Sequence, residues 1–322
     1  MGVLGTVPGM SAHQWTPADM PSLAGTTAVV TGANSGIGWY TTLELARHGA
    51  AVTLAVRTPE KGEKAVAEIR EAIGTGAGDL RVADLDLSSL ASVQAFAEAW
   101  DGPLGLLVNN AGVMTPPRYQ QTRDGFELQF GTNHLGHFAL TGRLLPALLA
   151  APESRVVTVS SVAHFGGKTD VIEGNPGDHY RPSPAYSNTK LANLLFAFEL
   201  QRRASLAGVG LTSTAAHPGV AVTNLVSSEQ GLGSIPGVKQ LWPYVGRIIF
   251  QSAKAGAEPT LYAATEATPG SYTGPQSMRE SRGKVGPAKL NPLARDESLA
   301  GKLWGISEDL TGVRYDWETV AS

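Results

Sequence analysis

Tyr186 and Lys190 stand four residues apart at the start of a long apolar stretch, residues 191–200. That stretch has few helix breakers and predicts a buried helix, so the two side chains share one helical face, one turn apart. A phenol beside an ammonium group is a proton donor whose pKa can be lowered towards neutrality. A surface lysine beside a packed tyrosine has the same spacing, so the rest of the chain decides between the two interpretations.

Ser161 is a second candidate for chemistry. It ends the predicted strand at residues 155–159, and we expect it to face the same crevice as Tyr186. Two hydroxyls and a lysine can bind a carbonyl oxygen, protonate it and hold the ribose that carries a hydride donor. The alternative is that Ser161 only bonds to the local backbone, as serines at strand ends often do.

Three glycines near the N-terminus form a candidate phosphate-binding turn. Gly32, Gly36 and Gly38 lie between a β-rich run, residues 26–31, and a helical pattern that reaches Gly49. Glycine permits a positive φ and a close backbone approach to a pyrophosphate, and a helix N-terminus offers free N–H groups to the anion. An ordinary tight turn has the same composition, but the strand before it and the helix after it favour a nucleotide site.

The end of the second predicted strand, residues 51–56, indicates which nucleotide binds. An acid there would bind the ribose diol of NAD, but Arg57 follows the strand and no acid does. A guanidinium group matches the oxygens of a 2′-phosphate, so the sequence favours NADP, the alternative being an ordinary surface arginine. Asp86, after the third strand, can accept a hydrogen bond from the adenine amino group or simply stabilise a helix N-terminus.

Strand and helix patterns alternate along the chain. Further strands are predicted at 80–85, 104–108, 155–159 and 209–215, and helices at 60–73, from Ser88 or Ser89 to Trp100, at 124–149 and from Tyr186. This alternation predicts an α/β fold, a single Rossmann domain over residues 23–315. Its doubly wound parallel sheet is expected to have about seven strands, with helices on both faces. Ligands bind at the carboxyl edge of such a sheet, where the candidate residues lie.

The composition excludes several classes of function. The chain has 322 residues, a net charge of −3 and no basic tract, so nothing indicates a nucleic-acid partner. It has no Cys, which removes disulfides, thiolate metal sites and thiol nucleophiles and fits a reducing, cytoplasmic location. No apolar stretch is long enough to span a bilayer. Residues 1–22 are expected to be a flexible leader, although residues 1–6 match the myristoylation pattern.

Several motifs carry a resemblance to a known family. They are Thr31-Gly32-x-x-x-Gly36-Ile37-Gly38, Asn109-Asn110-Ala111-Gly112, Asn133, Ser161, Tyr186-x-x-x-Lys190 and Pro218-Gly219-x-x-x-Thr223. Their order and spacing resemble the short-chain dehydrogenase/reductase family over nearly the whole chain. Residues 131–138, 159–164, 190–193 and 294–297 are similar to its retinol dehydrogenase branch, which includes WW-domain oxidoreductases and relatives of protochlorophyllide reductase.

The resemblance implies a role for each catalytic position. Tyr186 is expected to exchange a proton with the substrate oxygen, and Lys190 to hold the nicotinamide ribose and lower the pKa of Tyr186. Ser161 is expected to be a second donor to the substrate oxygen, forming a small oxyanion site. Asn133 is expected to hold a water near Lys190 for proton relay.

The cofactor expected from the residues and the resemblance together is NADP(H). Asn110 is expected to line the adenosine side, and the turn from Gly219 to Thr223 to surround the nicotinamide carboxamide. The full set of expected cofactor contacts is Gly32, Asn34, Ser35, Gly36, Ile37, Gly38, Arg57, Asp86, Leu87, Asn110, Ala111, Gly112, Tyr186, Lys190, Pro218, Gly219, Val220 and Thr223.

Residues 225–250 are expected to form a substrate lid. They follow the sixth strand, so they would lie over the carboxyl edge of the sheet; the first half is rich in Gly and Ser and the second half is apolar. We expect Trp242 and Ile248 to roof an apolar pocket with His164 and Phe165 on the opposite wall. The substrate would then be a lipophilic carbonyl or alcohol. The alternatives for the apolar half are ordinary core and contact with a membrane surface.

Other functions remain open at this point. The fold also suits a catalytically idle NADP-binding sensor or scaffold, and the Tyr-x-x-x-Lys pair also occurs in nucleotide-sugar epimerases. Because no carboxylate cluster accompanies His134, His137 and His217, we expect no metal site. Family members often dimerise through the helix that carries Tyr186, and the sequence leaves a homodimer open.

Overall fold

The computed structural model describes residues 14–174, 179–219 and 252–317. Several of the predictions above concern residues outside these ranges. They are the myristoylation pattern, most of the leader, Val220, Thr223, and the lid at 225–250 with Trp242 and Ile248.

The described chain folds around one sheet of eight strands in the order 3-2-1-4-5-6-7-8. The strands are β1 (Thr27–Thr31), β2 (Ala51–Val56), β3 (Leu80–Asp84), β4 (Leu106–Asn109), β5 (Ser154–Val159), β6 (Leu211–Ala216), β7 (Tyr272–Ser277) and β8 (Arg282–Pro287). All neighbours pair in parallel except β7 and β8, which form an antiparallel hairpin at the edge. The reversal of order between β1 and β4 leaves a crevice at the carboxyl edge.

Helices cover both faces of this sheet. They are α1 (Gly36–Arg47), α2 (Pro59–Ile73), α3 (Leu90–Glu98), α4 (Leu128–Phe130), a π turn (Gly131–Leu135), α5 (Gly136–Arg143), α6 (Leu145–Ala150), α7 (Pro182–Ala207), α8 (Ala253–Thr265) and α9 (Glu297–Thr311). Short 3₁₀ turns lie at Pro17–Asp19, Val162–Gly166, Thr169–Glu173 and Pro292–Arg295. No helix in these ranges has the length and apolar character that crossing a bilayer demands.

Successive residues of a strand face opposite layers, which explains why central strands such as β1 and β4 are apolar along most of their length. In β1, Ala28 and Val30 pack in the core under α1, α2 and α8. Val29 packs in the second core, with residues of α3, α5, α6 and α7. The predicted Rossmann architecture, a doubly wound parallel sheet with helices on both faces, is therefore confirmed.

The structure differs from the prediction in three places. The expected helix at 124–149 begins only at Leu128, because Glu127 caps it by accepting from the N–H groups of Gln129 and Phe130. It then passes through the π turn and breaks before α6, whose first turn contains a proline that cannot continue the hydrogen-bond ladder. Helix α7 begins at Pro182, where a proline is favoured, so Tyr186 lies in its second turn rather than at its start.

The third difference is the eighth strand. The sequence predicted about seven strands, and β8 adds an antiparallel edge strand that carries Gly283 and Gly286. Most of β8 is exposed, so its sequence has no apolar pattern. Because glycine is also depleted in strands, the sequence did not predict a strand here.

Candidate active site

The glycine-rich turn joins β1 to α1 at the carboxyl edge. Gly32 and Gly36 have φ values of +66° and +59°, in the region that only glycine adopts without strain. Gly38 lies against the turn so closely that an added Cβ would be 2.5 Å from the carbonyl oxygen of Gly32 and 2.6 Å from the side-chain nitrogen of Asn110. The turn thus brings backbone N–H groups and the α1 N-terminus to one open surface, which suits a pyrophosphate.

Thr31 links the two strands that border the crevice. Its hydroxyl oxygen accepts from the backbone N–H groups of Asn110 and Ala111, both at 2.9 Å. The side-chain amide of Asn110 donates to the carbonyl oxygen of Thr31 at 2.8 Å. Asn110 therefore fixes the end of β4 beside the glycine turn, on the side where adenosine is expected.

His137 extends this network into the helical layer. Its Nε2 lies 2.9 Å from the Thr31 hydroxyl and its Nδ1 lies 3.0 Å from the carbonyl oxygen of Asn133. A carbonyl only accepts, so Nδ1 carries the ring proton and Nε2 accepts from Thr31. Burial lowers the pKa of His137 to about 4, which keeps the ring neutral. Sequence reasoning missed this link, because nothing in the pattern joins positions so far apart.

Ser161, Tyr186 and Lys190 come together at the ends of β5 and α7. The Lys190 ammonium lies 5.6 Å from the centre of the Tyr186 ring and donates to the carbonyl oxygen of Val159 at 3.2 Å. Ser161 caps a 3₁₀ turn by accepting from the N–H of Ala163, and its hydroxyl is near enough to the Tyr186 phenol to lower the pKa of that phenol. The local backbone bond and the contact with the phenol thus coexist.

Asn133 lies in the π turn, a feature that often marks functional sites. Its side-chain oxygen accepts from the N–H of Val113 at 2.7 Å, and its nitrogen donates to the Val113 carbonyl at 2.9 Å and lies 3.2 Å from the Thr189 hydroxyl. An added Cβ on Gly112 would be 3.1 Å from the Asn133 oxygen and 3.7 Å from the Lys190 nitrogen. Asn133 and Lys190 therefore approach the same point beside Gly112.

Burial determines the protonation of this group. It raises the pKa of Tyr186 to about 12, against a smaller lowering by the Ser161 hydroxyl, and lowers the pKa of Lys190 to about 8. The expected lowering of the Tyr186 pKa is therefore wrong for the protein alone, because desolvation of the phenolate outweighs its polar partners. A neutral phenol is the form that can give a proton to a substrate oxygen.

Two further predicted cofactor residues lie at the ends of β2 and β3. Arg57 directly follows β2, and its side chain is exposed beside the glycine turn. Asp86 accepts from the backbone N–H and the hydroxyl of Ser88, at 3.0 and 2.6 Å, and lies 4.0 Å from Arg123. One carboxylate oxygen of Asp86 is thus used in a local turn, while neighbouring Leu87 is buried.

His164 does not lie on the wall of an apolar pocket. Its ring is fully buried, with Nδ1 2.7 Å from the carbonyl oxygen of Ser161 and Nε2 accepting from the backbone N–H of Asn291 at 3.2 Å. The prediction of a substrate contact is wrong for this side chain, because the helical turn after Ser161 directs it into the core. Phe165, in contrast, is 49% exposed.

The three histidines considered as a metal set have separate partners. His134 contacts the Ser307 hydroxyl, His137 contacts Thr31, and His217 accepts from the N–H of Gly219. Across the described ranges, no group of three or more His, Cys, Asp or Glu side chains is arranged to hold a metal ion.

The fold and the glycine turn place this protein among the dinucleotide-binding Rossmann proteins. The family described as short chain dehydrogenase matches residues 26–231. Human retinol dehydrogenase 14 is 39% identical over 90% of this chain and 87% of its own length. Mouse polyprenol dehydrogenase is 39% identical over 92% of this chain and 87% of its own length.

Solved structures agree with this assignment. A crystal structure of an uncharacterized protein from Mycobacterium paratuberculosis is 44% identical, with a TM-score of 0.78 over 94% of this chain and all of that chain. A protein from Beutenbergia cavernae, provisionally named an NAD(P)-dependent gluconate 5-dehydrogenase and solved with bound NADP, is 26% identical, with a TM-score of 0.59 over 78% of this chain and 95% of its own. The chain belongs to the short-chain dehydrogenase family of oxidoreductases.

Proposed function

We propose that this protein is an NADP(H)-dependent oxidoreductase that interconverts lipophilic alcohols and carbonyl compounds, with Tyr186 as general acid and base. The observation that carries the proposal is the meeting of Ser161, Tyr186, Lys190 and Asn133 at the crevice beside the glycine turn. A protein that only sensed the nucleotide would have no use for a phenol with a buried ammonium group 5.6 Å from its ring.

The side chains divide the chemistry of carbonyl reduction among them. NADPH, when bound, supplies the hydride. The Tyr186 phenol gives its proton to the substrate oxygen, and the Ser161 hydroxyl donates a hydrogen bond to the same oxygen as negative charge develops there. In alcohol oxidation Tyr186 takes the proton back.

Lys190 and Asn133 prepare Tyr186 for this transfer. The ammonium group of Lys190 stabilises the phenolate that forms when the proton leaves, because opposite charges attract strongly in a desolvated site. Asn133 holds the loop that carries Gly112 and Val113 against the Lys190 side chain. After the transfer, Tyr186 is proposed to regain a proton through a water molecule between Lys190 and Asn133.

The residues present fit the phosphorylated cofactor. The close contact of Gly38 with Gly32 and Asn110 leaves no room for a side chain where the pyrophosphate would approach. Arg57 is exposed at the end of β2, where no acid competes for a ribose hydroxyl. Its guanidinium would pair with the 2′-phosphate in the bidentate way that this group favours.

The substrate class follows from the relatives. The names of the retinol and polyprenol dehydrogenases describe enzymes that act on long apolar alcohols. We propose the same chemical class for this chain, without retinoid specificity. The exposed ring of Phe165, close to Ser161 in the chain, supports an apolar approach to the site.

A turnover screen tests the proposal. Aldehydes of increasing chain length, compared with small polar carbonyls, would be offered with NADPH and with NADH. We expect kcat/KM to rise with apolar chain length and to be higher with NADPH. If small polar carbonyls are reduced with higher kcat/KM than every lipophilic one, the substrate class is wrong. Tight NADPH binding without turnover of any carbonyl or alcohol would support the sensor alternative instead.

A further inference from the structure

A buried histidine and a buried glutamate lie beneath the turn that follows β6. His217 is fully buried, and its Nδ1 accepts from the backbone N–H of Gly219 at 3.1 Å. Burial and the neighbouring His164 lower the pKa of His217 to about 3, so the ring is neutral and its proton lies on Nε2. That nitrogen lies 3.4 Å from a carboxylate oxygen of Glu280.

Glu280 is held in place from the β7–β8 hairpin. It is only 7% exposed, and its other carboxylate oxygen accepts from the backbone N–H of Lys289 at 2.9 Å. The placement of Glu280 is accompanied by backbone strain in the hairpin turn. Three consecutive residues that are not glycine have positive φ values of +48°, +56° and +62°, namely Met278, Arg279 and Glu280. Such strain persists only where the surrounding structure determines the conformation, and it occurs preferentially at functional sites.

Strand β7 leaves space for the imidazole. An added Cβ on Gly274 would be 1.9 Å from the Nε2 of His217, so no side chain fits there. The N–H of His217 donates to the carbonyl oxygen of Thr273 at 2.9 Å, which fixes the backbone of the histidine to the same strand. The imidazole therefore has one position, between Glu280 and the N–H of Gly219.

We propose that Glu280 and His217 are positioning residues that hold the Pro218–Gly219 turn against the nicotinamide end of the cofactor. Gly219 has a φ of +67°, which favours glycine, and its N–H donates to His217 in that conformation. The Glu280 carboxylate lies 3.4 Å from the other ring nitrogen, and the attraction between its charge and that polar N–H group orients the ring. The inference rests on the proposed function, because it concerns how the same site binds its cofactor.

The test compares binding of the whole cofactor with binding of its adenosine end alone. Dissociation constants would be measured by calorimetry for NADPH and for adenosine 2′,5′-bisphosphate, which lacks the nicotinamide. In Glu280→Gln and Glu280→Ala we expect NADPH to bind on the order of tenfold more weakly, because the carboxylate that attracts the His217 N–H group is lost. Binding of the bisphosphate should be unchanged, because it does not reach the turn.

Two further variants sharpen the result. His217→Asn keeps an acceptor near the Nδ1 position but cannot reach Glu280, whereas His217→Ala loses both contacts. We expect His217→Asn to match Glu280→Gln and His217→Ala to bind NADPH more weakly than either. The control is Glu199→Gln, which removes a buried carboxylate paired with Arg202 and Arg203 at 2.7 Å, in α7. It should lower the melting temperature and leave the ratio of the two dissociation constants unchanged.

Equal weakening of NADPH and the bisphosphate in the Glu280 and His217 variants would show a general structural role and overturn the inference. Unchanged NADPH binding would overturn it as well. Failure of the proposed function is distinguishable, since the unmodified protein would then bind NADPH without reducing any carbonyl. If Glu280→Ala does not fold, Glu280→Gln and His217→Asn still decide the question.

Discussion

At the scale of single residues, Lys190 combines a proposed role in proton transfer with a cost in stability. Its side chain is 4% exposed, and burial lowers its pKa from 10.5 to about 8. The unfolded chain therefore binds this proton more tightly than the folded one. Stability consequently rises as the pH rises through the window between about 8 and 10.5.

Replacing Lys190 with Met should stabilise the protein while abolishing turnover. We expect the free energy of unfolding at pH 7 to increase by roughly 1–3 kcal/mol, since the variant has no buried ammonium to desolvate. Its rise in stability between pH 8 and 10.5 should also disappear. Denaturant titrations across this range would measure both effects, with the exposed Lys302→Met as control. A variant less stable than the parent at pH 7 would contradict this account.

Arg57 is expected to distinguish the two nicotinamide cofactors. Arg57→Ala should weaken NADPH binding by roughly 1–3 kcal/mol, because a charge-assisted contact with the 2′-phosphate is lost, and NADH binding should hardly change. Lys302→Ala on α9 makes the same change in net charge and should affect neither. An equal loss of affinity for both cofactors would show that Arg57 is structural.

Residue types predicted those parts of the candidate site that depend on residues close together in the sequence. The spacing of Tyr186 and Lys190 within one helix and the position of Ser161 at a strand end placed all three correctly at one edge. The direction of the His164 side chain and the sign of the Tyr186 pKa shift were wrong. Both depend on burial by elements distant in sequence, such as the loop that carries Asn291.

At the scale of elements, the close contact between the glycine turn and α1 predicts that a side chain at Gly38 is not tolerated. Gly38→Ala would bring a methyl group into contact with the Gly32 carbonyl and the Asn110 amide. We therefore expect a loss of stability of roughly 1–3 kcal/mol and weaker binding of NADPH. Thermal unfolding with and without NADPH would measure both.

Helix α9 offers a matched control for this glycine. An added Cβ on Gly301 meets no atom within 4 Å, so Gly301→Ala should be neutral or stabilise the helix by about 0.5–1 kcal/mol. If both alanine variants behave alike, the close packing at Gly38 does not matter for the cofactor site.

Element boundaries show what sequence patterns miss. The β1–α1–β2 unit was predicted closely because its strands are uniformly apolar and its turn is rich in glycine. The predicted helix at 124–149 was too long because the cap at Glu127 and the π turn depend on side-chain hydrogen bonds. Strand β8 was missed because it pairs through its backbone at an exposed edge.

At the scale of the whole molecule, α9 covers the helix that carries Tyr186. Trp304 of α9 stacks on Phe196 of α7 with ring centres 5.9 Å apart, and the guanidinium of Arg203 lies 4.4 Å from the Trp304 ring. Tyr315, beyond α9, donates to the carbonyl oxygen of Phe138 in α5. From residue 189 to 200 of α7, only Phe198 is not buried.

This packing predicts that the protein does not dimerise through α7. The apolar faces that would meet a partner are already occupied by the same chain. Sedimentation velocity at several concentrations, combined with hydrogen exchange, would measure this. A dimer that gains protection specifically in α7 would contradict the prediction.

The central claim is that Tyr186 transfers the proton, and Tyr186→Phe tests it most directly. The variant loses only the phenolic hydroxyl. We expect turnover of a lipophilic aldehyde with NADPH to fall by a factor on the order of 100 or more, as for a lost general acid, with NADPH affinity unchanged. Tyr262→Phe in α8, across the sheet, should retain full activity. Near-normal turnover by Tyr186→Phe with NADPH bound would contradict the account.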